Sequence, residues 1–323
     1  MDPLSDNKPV GQKLPQYLII AFVVILAIIG FGVGKAIYKP GKLPKIASAI
    51  DSEPAQYSIN IYKIPTLKTD ASTPLIRAKY AILLDADSKN VMYGRGANDR
   101  VPIASITKLM TAIVVSENTK PDDVVTIDKT DTHVIGSVIG FHAGEKFRVS
   151  ELLKAMLIKS GNDAAIALAR TTAGSPEAFV VKMNSKTEKL GLNNTKYVDP
   201  DGLSPDVSST PFDQAILLSY VLNIPRLKEI ITTSDTTIRS EGGDEYALKN
   251  SNKLITDEFP YQGAVGGKTG FTYEAGHSLA AAAQRDGHTL IAVVLNTESS
   301  ALDASAREAA KLFDWGFDNY EWK

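Results

Sequence analysis

Cysteine is absent from the whole chain, which excludes disulfide frameworks, thiolate zinc sites, cysteine nucleophiles and acylated lipoprotein anchors together. Histidine is scarce. His133, His142, His277 and His288 form no i, i+4 pair and show no metal-ligand spacing, so each reads as a solvated or hydrogen-bonded residue and no metal is expected. Charge of one sign is not in excess either. The formal net charge of −2 gives no electrostatic reason to expect nucleic acid as a partner. No internal repeat or low-complexity tract is visible.

What is present begins with an apolar run. From Tyr17 to Gly34 the chain reads YLIIAFVVILAIIGFGVG without a charge, just long enough to cross a bilayer. The run has no polar face, which argues against a buried core helix. Gly32-Val33-Gly34 matches the small-residue cleavage site of a signal peptide poorly. A retained signal-anchor helix over residues 17–38, after a cytoplasmic tail of residues 1–16, is therefore expected, with secretion after cleavage as the alternative. Lys8 and Lys13 precede the run, and Lys35, Lys39, Lys42 and Lys45 follow it. The positive-inside rule alone would leave the following domain in the cytoplasm. The chemistry argued below has its substrate outside. On that ground the expectation is a single-pass protein of the cell membrane with its domain extracytoplasmic.

Residues 39–75 carry Pro40, Pro44, Pro54, Pro65 and Pro74 among lysine and serine. This reads as a tether, with an extended stretch at Tyr57–Ile64 lying against the domain. The folded domain is expected over residues 76–323. Tyr80–Leu84 is apolar and strand-like, Asp85–Asn90 turn-like, and Val91–Tyr93 a returning strand. From Ser105 to Asn118, Ile106, Leu109, Met110, Ile113 and Val114 fall at helical spacing, with Ser105 as N-cap or first-turn residue. A largely helical stretch runs from Val149 to Ile231, part of a helical subdomain over about residues 128–231. Within it, Pro176–Leu190 starts from a Ser-Pro-Glu opening. Later, Ser278–Gln284 and Thr289–Asn296 flank Asp286-Gly287, a dipeptide suited to a tight type I′ hairpin. Ala301–Phe317 places Leu302, Ala306, Ala309, Phe313 and Phe317 on one helical face, to be packed on that sheet. Strands at both ends with helices inserted between them imply an α+β layered fold.

Three short motifs carry chemistry. In Ser105-Ile106-Thr107-Lys108, positions i and i+3 share a helix face, so the Lys108 amine can reach the Ser105 hydroxyl. A lysine of lowered pKa can take the proton that keeps serine a poor nucleophile. In Ser160-Gly161-Asn162, a hydroxyl and a carboxamide on a short turn can bridge an amine and a substrate amide. Lys268-Thr269-Gly270 follows Gly266-Gly267 and precedes an expected edge strand. It offers positive charge, a hydroxyl for a carboxylate, and a glycine that lets the backbone lie close to a ligand. Singly each pattern is weak, since Ser5–Lys8 also fits the first and Ser58–Asn60, Ser88–Asn90 and Ser116–Asn118 the second. Their order and surroundings carry the weight, because Ser-x-x-Lys, Ser-x-Asn and Lys-Thr-Gly form the signature set of penicillin-recognising serine enzymes.

The sequence resembles the D-alanyl-D-alanine carboxypeptidase family, serine peptidase S11, the low-molecular-mass penicillin-binding proteins. The resemblance rests on ASITKLMTAIVVSE around Ser105, LLKAMLIKSGNDAA around Ser160 and GGKTGFTYEAGHSLAAAA around Lys268. Phe179–Leu203 and Asn250–Ile255 extend it, so that it covers roughly Ala78 to Asn296. It implies the penicillin-binding/β-lactamase-like fold: an antiparallel sheet flanked by helices, with an inserted mostly helical subdomain. It also implies peptidoglycan stem peptides as substrate, β-lactam antibiotics as covalent inhibitors, and no cofactor. Ser105 would attack the penultimate D-alanine carbonyl, with Lys108 as general base. Ser160 would relay the proton toward the leaving amine, with Lys268 holding its hydroxyl and setting the local potential, and Asn162 would position Lys108 and the substrate amide. Thr269, beside Gly270, would bind the terminal carboxylate, and the N–H groups of Ser105 and Phe271 would form the oxyanion hole. Clustered Lys108 and Lys268 would each disfavour the other's charge.

Three related activities are distinguished by what this chain lacks. A class A β-lactamase needs a glutamate to activate the deacylating water, whereas Tyr197–Leu203 reads YVDPDGL, with Asp199 and Asp201 as turn formers. With only a short stretch after Asn296, the additional β-rich domain of many family carboxypeptidases and their carboxyl-terminal amphipathic anchor are expected to be missing. That keeps a D,D-endopeptidase cutting cross-links as the alternative. A non-catalytic β-lactam sensor would need a signalling module, for which residues 1–16 are too short.

Overall fold

The computed structural model describes residues 63–323. Its centre is a five-stranded antiparallel sheet of β1 (Ala78–Asp85), β2 (Val91–Arg95), β3 (Ala264–Gly270), β4 (Ser278–Arg285) and β5 (His288–Thr297), in the order β3-β4-β5-β1-β2. Both faces of this sheet are covered, as the period-2 alternation of a strand requires when apolar residues point both ways. Leu83, Ala281, Ala292 and Val294 face one core with Phe313, whereas Ile82, Ala282, Ile291 and Val293 face the larger core under the inserted helices. The Asp286-Gly287 hairpin forms as expected, with both residues at positive φ (51° and 84°), the requirement of a type I′ turn.

The helices are α1 (Lys108–Asn118), α2 (Val149–Ile158), α3 (Asn162–Ala173), α4 (Pro176–Leu190), α5 (Pro211–Leu222), α6 (Pro225–Thr232) and α7 (Ala304–Asn319). α1 is buried from Lys108 through Val115, so it is the helix around which α2, α3, α4 and α5 pack. Its burial removes Lys108 from water although the side chain is ionisable. α4 begins where its sequence signals a start: Ser175 Oγ accepts the Ala178 N–H, and Pro176 occupies the first turn, a placement that sacrifices no helical hydrogen bond.

Several expectations need correction. Leu302 is not on the packed face of the last helix. It is 80% exposed and precedes α7, whose first turn is held by Asp303 accepting the Arg307 Nε–H at 2.8 Å. Of the two places expected for Ser105, the structure takes the first turn and not the N-cap: it lies in a 3-10 turn, Ala104–Thr107, that runs into α1 without side-chain capping, its hydroxyl being engaged with Lys108. Lys268-Thr269-Gly270 does not precede the edge strand but ends it, as the last three residues of β3.

Part of the expected tether is laid against the domain. Pro65–Leu67 pairs antiparallel with Tyr320–Trp322, and Trp315 Nε1–H donates to the Ser72 carbonyl at 2.6 Å. The expected anchor over 17–38, the tail before it and the tether up to residue 62 lie outside the described residues. Among the described residues, no helix is long and apolar enough to cross a membrane.

Candidate active site

Three segments far apart in sequence meet at one cleft of about 680 Å³, lined among others by Ser105, Ser160, Asn162, Thr269, Gly270 and Phe271. The first is the 3-10 turn before α1. The i, i+3 relation places Lys108 Nζ 2.8 Å from Ser105 Oγ. The same nitrogen donates to Asn162 Oδ1 at 2.7 Å and to the Asp201 carbonyl at 2.7 Å. A neutral amine has two N–H donors and one lone pair. With both donors spent on Asn162 and Asp201, the lone pair is left for the Ser105 hydroxyl.

Burial favours that neutral form. It lowers the Lys108 pKa to about 8, against the opposing pull of Asp201, Asp199 and Asp163. Lys268 is held well below the ordinary lysine range, first by burial and then by the charge of Lys108. The expectation of mutual repulsion therefore holds as a secondary cause for Lys268, and desolvation is the main cause for both amines.

The second segment is the turn between α2 and α3. Ser160 sits at φ 66°, in the left-handed region that a non-glycine residue enters at some cost. The turn is over-determined by its surroundings. Gly161 N–H donates to the Ala155 carbonyl, Asn162 N–H to the Ser137 carbonyl, and Asn162 Nδ2 to the Ile135 carbonyl at 2.6 Å. The Asp163 carboxylate in turn accepts the Ile139 and Gly140 N–H groups, securing the strand of loop that Asn162 grips.

The third segment is the end of β3. Lys268 Nζ donates to Ser160 Oγ at 2.9 Å and to the Thr269 carbonyl at 3.0 Å. The glycines around it are required by close approach. A Cβ on Gly267 would lie 2.1 Å from the Ala280 carbonyl oxygen, and one on Gly270 2.6 Å from that of Ile103. Phe271, half exposed, stacks on His277 at 4.4 Å between ring centroids and walls the cleft beyond Gly270.

Every residue that the sequence singled out as a site candidate thus lies in or directly beneath one cleft. Two contributors were missed. Asp201 acts through its main-chain carbonyl, which no side-chain pattern reveals, while its carboxylate accepts the Leu203 N–H as the turn reading anticipated. Burial pushes that carboxyl up to about 6, partly offset by Lys108. Ser251, whose hydroxyl lies 2.6 Å from Thr269 Oγ1, falls in the Asn250–Ile255 stretch of the resemblance but was given no role there.

A hydroxyl facing a buried amine of lowered pKa, beside a second serine held by a second lysine, is an arrangement for acyl transfer. Comparison with known proteins gives it a lineage. The family profile described as D-alanyl-D-alanine carboxypeptidase matches residues 67–299. The chain belongs to this family. A Bacillus subtilis (strain 168) relative named D-alanyl-D-alanine carboxypeptidase DacF is 36% identical over 76% of this chain, which spans 63% of that relative's length. A Haemophilus influenzae relative named D-alanyl-D-alanine endopeptidase is 38% identical over 62% of this chain and 69% of its own. Among solved structures, the Streptomyces K15 DD-transpeptidase superposes with a TM-score of 0.72 at 30% identity, over 77% of this chain and all of the other. The D-alanyl-D-alanine carboxypeptidase family membership and the antiparallel sheet with inserted helices agree with the resemblance read from the motifs.

Proposed function

We propose that this protein is a serine-type D-alanyl-D-alanine carboxypeptidase, removing the terminal D-alanine of peptidoglycan stem pentapeptides through an acyl-enzyme. The observation that carries the reading is the buried Lys108 amine, 2.8 Å from Ser105 Oγ with a pKa near 8. Lys108 takes the hydroxyl proton as Ser105 Oγ attacks the penultimate D-alanine carbonyl. The N–H groups of Ser105 and Phe271, both on the cleft wall, receive the developing oxyanion. Ser160, with Lys268 on its oxygen, relays to the departing D-alanine amine the proton that Lys108 took, so that both side chains return to their starting states. Asn162 keeps Lys108 in register, and Thr269 receives the terminal carboxylate. Water then adds to the acyl-enzyme, Ser105 regains its proton, and the shortened stem leaves. A β-lactam would enter the same path and stop at the acyl-enzyme.

The apolar run Tyr17–Gly34 supports a single-pass anchor, with the domain outside the membrane where peptidoglycan lies. The endopeptidase reading is kept because a relative of that name is 38% identical. Incubation of the full chain in detergent with a stem pentapeptide and, separately, with a cross-linked dimer decides between them. Faster free D-alanine release is expected from the pentapeptide, and preferential cleavage of the dimer would overturn the choice.

The same assay tests the base. A neutral amine is required, so the acylation rate should fall about tenfold for each pH unit below 8 and level off above it. A flat profile between pH 6 and 8 would remove Lys108 from the role.

A further inference from the structure

The cleft wall carries Lys159 and Lys253, the latter paired with Glu258, and, among its described lining residues, no carboxylate, so it suits an anionic group of the substrate. Thr269 is the hydroxyl assigned to that group above. Its Oγ1 lies 2.6 Å from Ser251 Oγ, and both residues line the cleft.

Ser251 is placed there by bonds that do not use its own hydroxyl. Its N–H donates to the Ile158 carbonyl at 3.1 Å. On one side, buried Asn250 accepts the Asn252 N–H at 2.9 Å and donates to the Thr233 carbonyl at 2.9 Å. On the other, Asn252 Oδ1 accepts the Leu254 N–H at 3.1 Å. These bonds hold the turn without the Ser251 side chain, which faces β3.

Two hydroxyls joined by one hydrogen bond use one proton in the bond and keep one free. When a carboxylate meets Thr269, the arrangement that satisfies all three groups has Ser251 O–H donating to Thr269 Oγ1 and Thr269 O–H donating to the carboxylate. Donation into Thr269 polarises its O–H and strengthens the outward bond.

Resting on the carboxypeptidase reading, we propose that Ser251 is a positioning residue for the substrate's terminal carboxylate, acting through Thr269. It orients the threonine hydroxyl rather than touching the reacting atoms.

The test compares ligands with and without that carboxylate, on the full chain in detergent. A neutral hydrogen bond of about 1 kcal/mol predicts that Ser251→Ala raises KM for a stem pentapeptide about fivefold and changes kcat by less than about twofold. The Ki of N-acetyl-D-boroalanine, which bonds to the nucleophile but carries no carboxylate, should stay the same. Thr269→Ala should raise KM further, and the double variant should be no worse than Thr269→Ala alone. An equal rise in KM and in the boronic acid Ki would mark general disturbance of the cleft and overturn the proposal, as would additive effects of the two substitutions. Failure of the unmutated chain to release D-alanine or bind the boronic acid would instead overturn the carboxypeptidase reading, and this proposal with it.

Discussion

Lys108→Met is expected to reduce acylation of Ser105 by roughly 10³–10⁴-fold, near the upper range for loss of a general base, while leaving the fold's stability almost unchanged. The two halves have different causes. Catalysis fails because, among the described residues, no other amine lies on Ser105 Oγ, Lys268 being engaged with Ser160 and the Thr269 carbonyl. Stability is nearly conserved because two opposing contributions cancel. The amine's hydrogen bonds to Ser105, Asn162 and Asp201 are together worth about 3 kcal/mol at about 1 kcal/mol each. Burying it lowers its pKa from 10.5 to about 8, which corresponds to a penalty of about 3 kcal/mol on the protonated form. The sign of the pH dependence follows. Between pH 8 and 10.5 the unfolded chain binds the proton that the folded chain has released, so stability rises with pH in that window. The unmutated protein should thus gain on Lys108→Met as pH climbs from 8 to 10.5, and thermal melts of both across that range check it. Retained acylation in Lys108→Met would remove the amine from the mechanism.

Gly202→Ala should be strongly damaging for so small a substitution. Gly202 has φ 77°, and a Cβ there would fall 2.1 Å from the Ala104 carbonyl oxygen and 2.7 Å from Thr107 Oγ1. Both atoms belong to the turn that carries Ser105, so relief of the clash must displace either that turn or the loop above it. The loop has little freedom to yield. The Pro200 carbonyl accepts Thr111 Oγ1–H at 2.5 Å, the Asp201 carbonyl accepts Lys108, and Asp199 accepts the Gly202 and Ser204 N–H groups. A loss of about 3 kcal/mol is expected from strain and broken bonds, seen as a fall of about 10 °C in Tm for a domain of this size. A shift of about 1 Å in the nucleophile also lowers acylation by about 100-fold. A calorimetric scan with penicillin acylation kinetics measures both, and an unchanged Tm would contradict the close packing of loop on turn.

The contrast between these two positions shows what a sequence can carry. Ser105 and Lys108 were readable because their relation is local and set by helical spacing. Ser160, Asn162 and Lys268 were readable as members of a motif set, and Asp286-Gly287 and Ser175-Pro176 announced a hairpin and a helix start by their backbone preferences. The Asp201 carbonyl left no such trace, since every residue has one and only the path of the loop aims it at Lys108. Ser251 was silent for a related reason: its partner, Thr269, is 18 residues away on another element. Leu302 misled because periodicity continues past a helix end, and only the tertiary fold starts α7 at Ala304.

The central claim is that Ser105 Oγ, deprotonated by Lys108, becomes the acylated atom. Intact-mass analysis of the full chain after brief exposure to benzylpenicillin, with proteolytic mapping of the adduct, tests it directly. One penicilloyl adduct on the peptide containing Ser105, absent from Ser105→Ala, is the predicted result. An adduct on any other residue, or one that persists in Ser105→Ala, would contradict it.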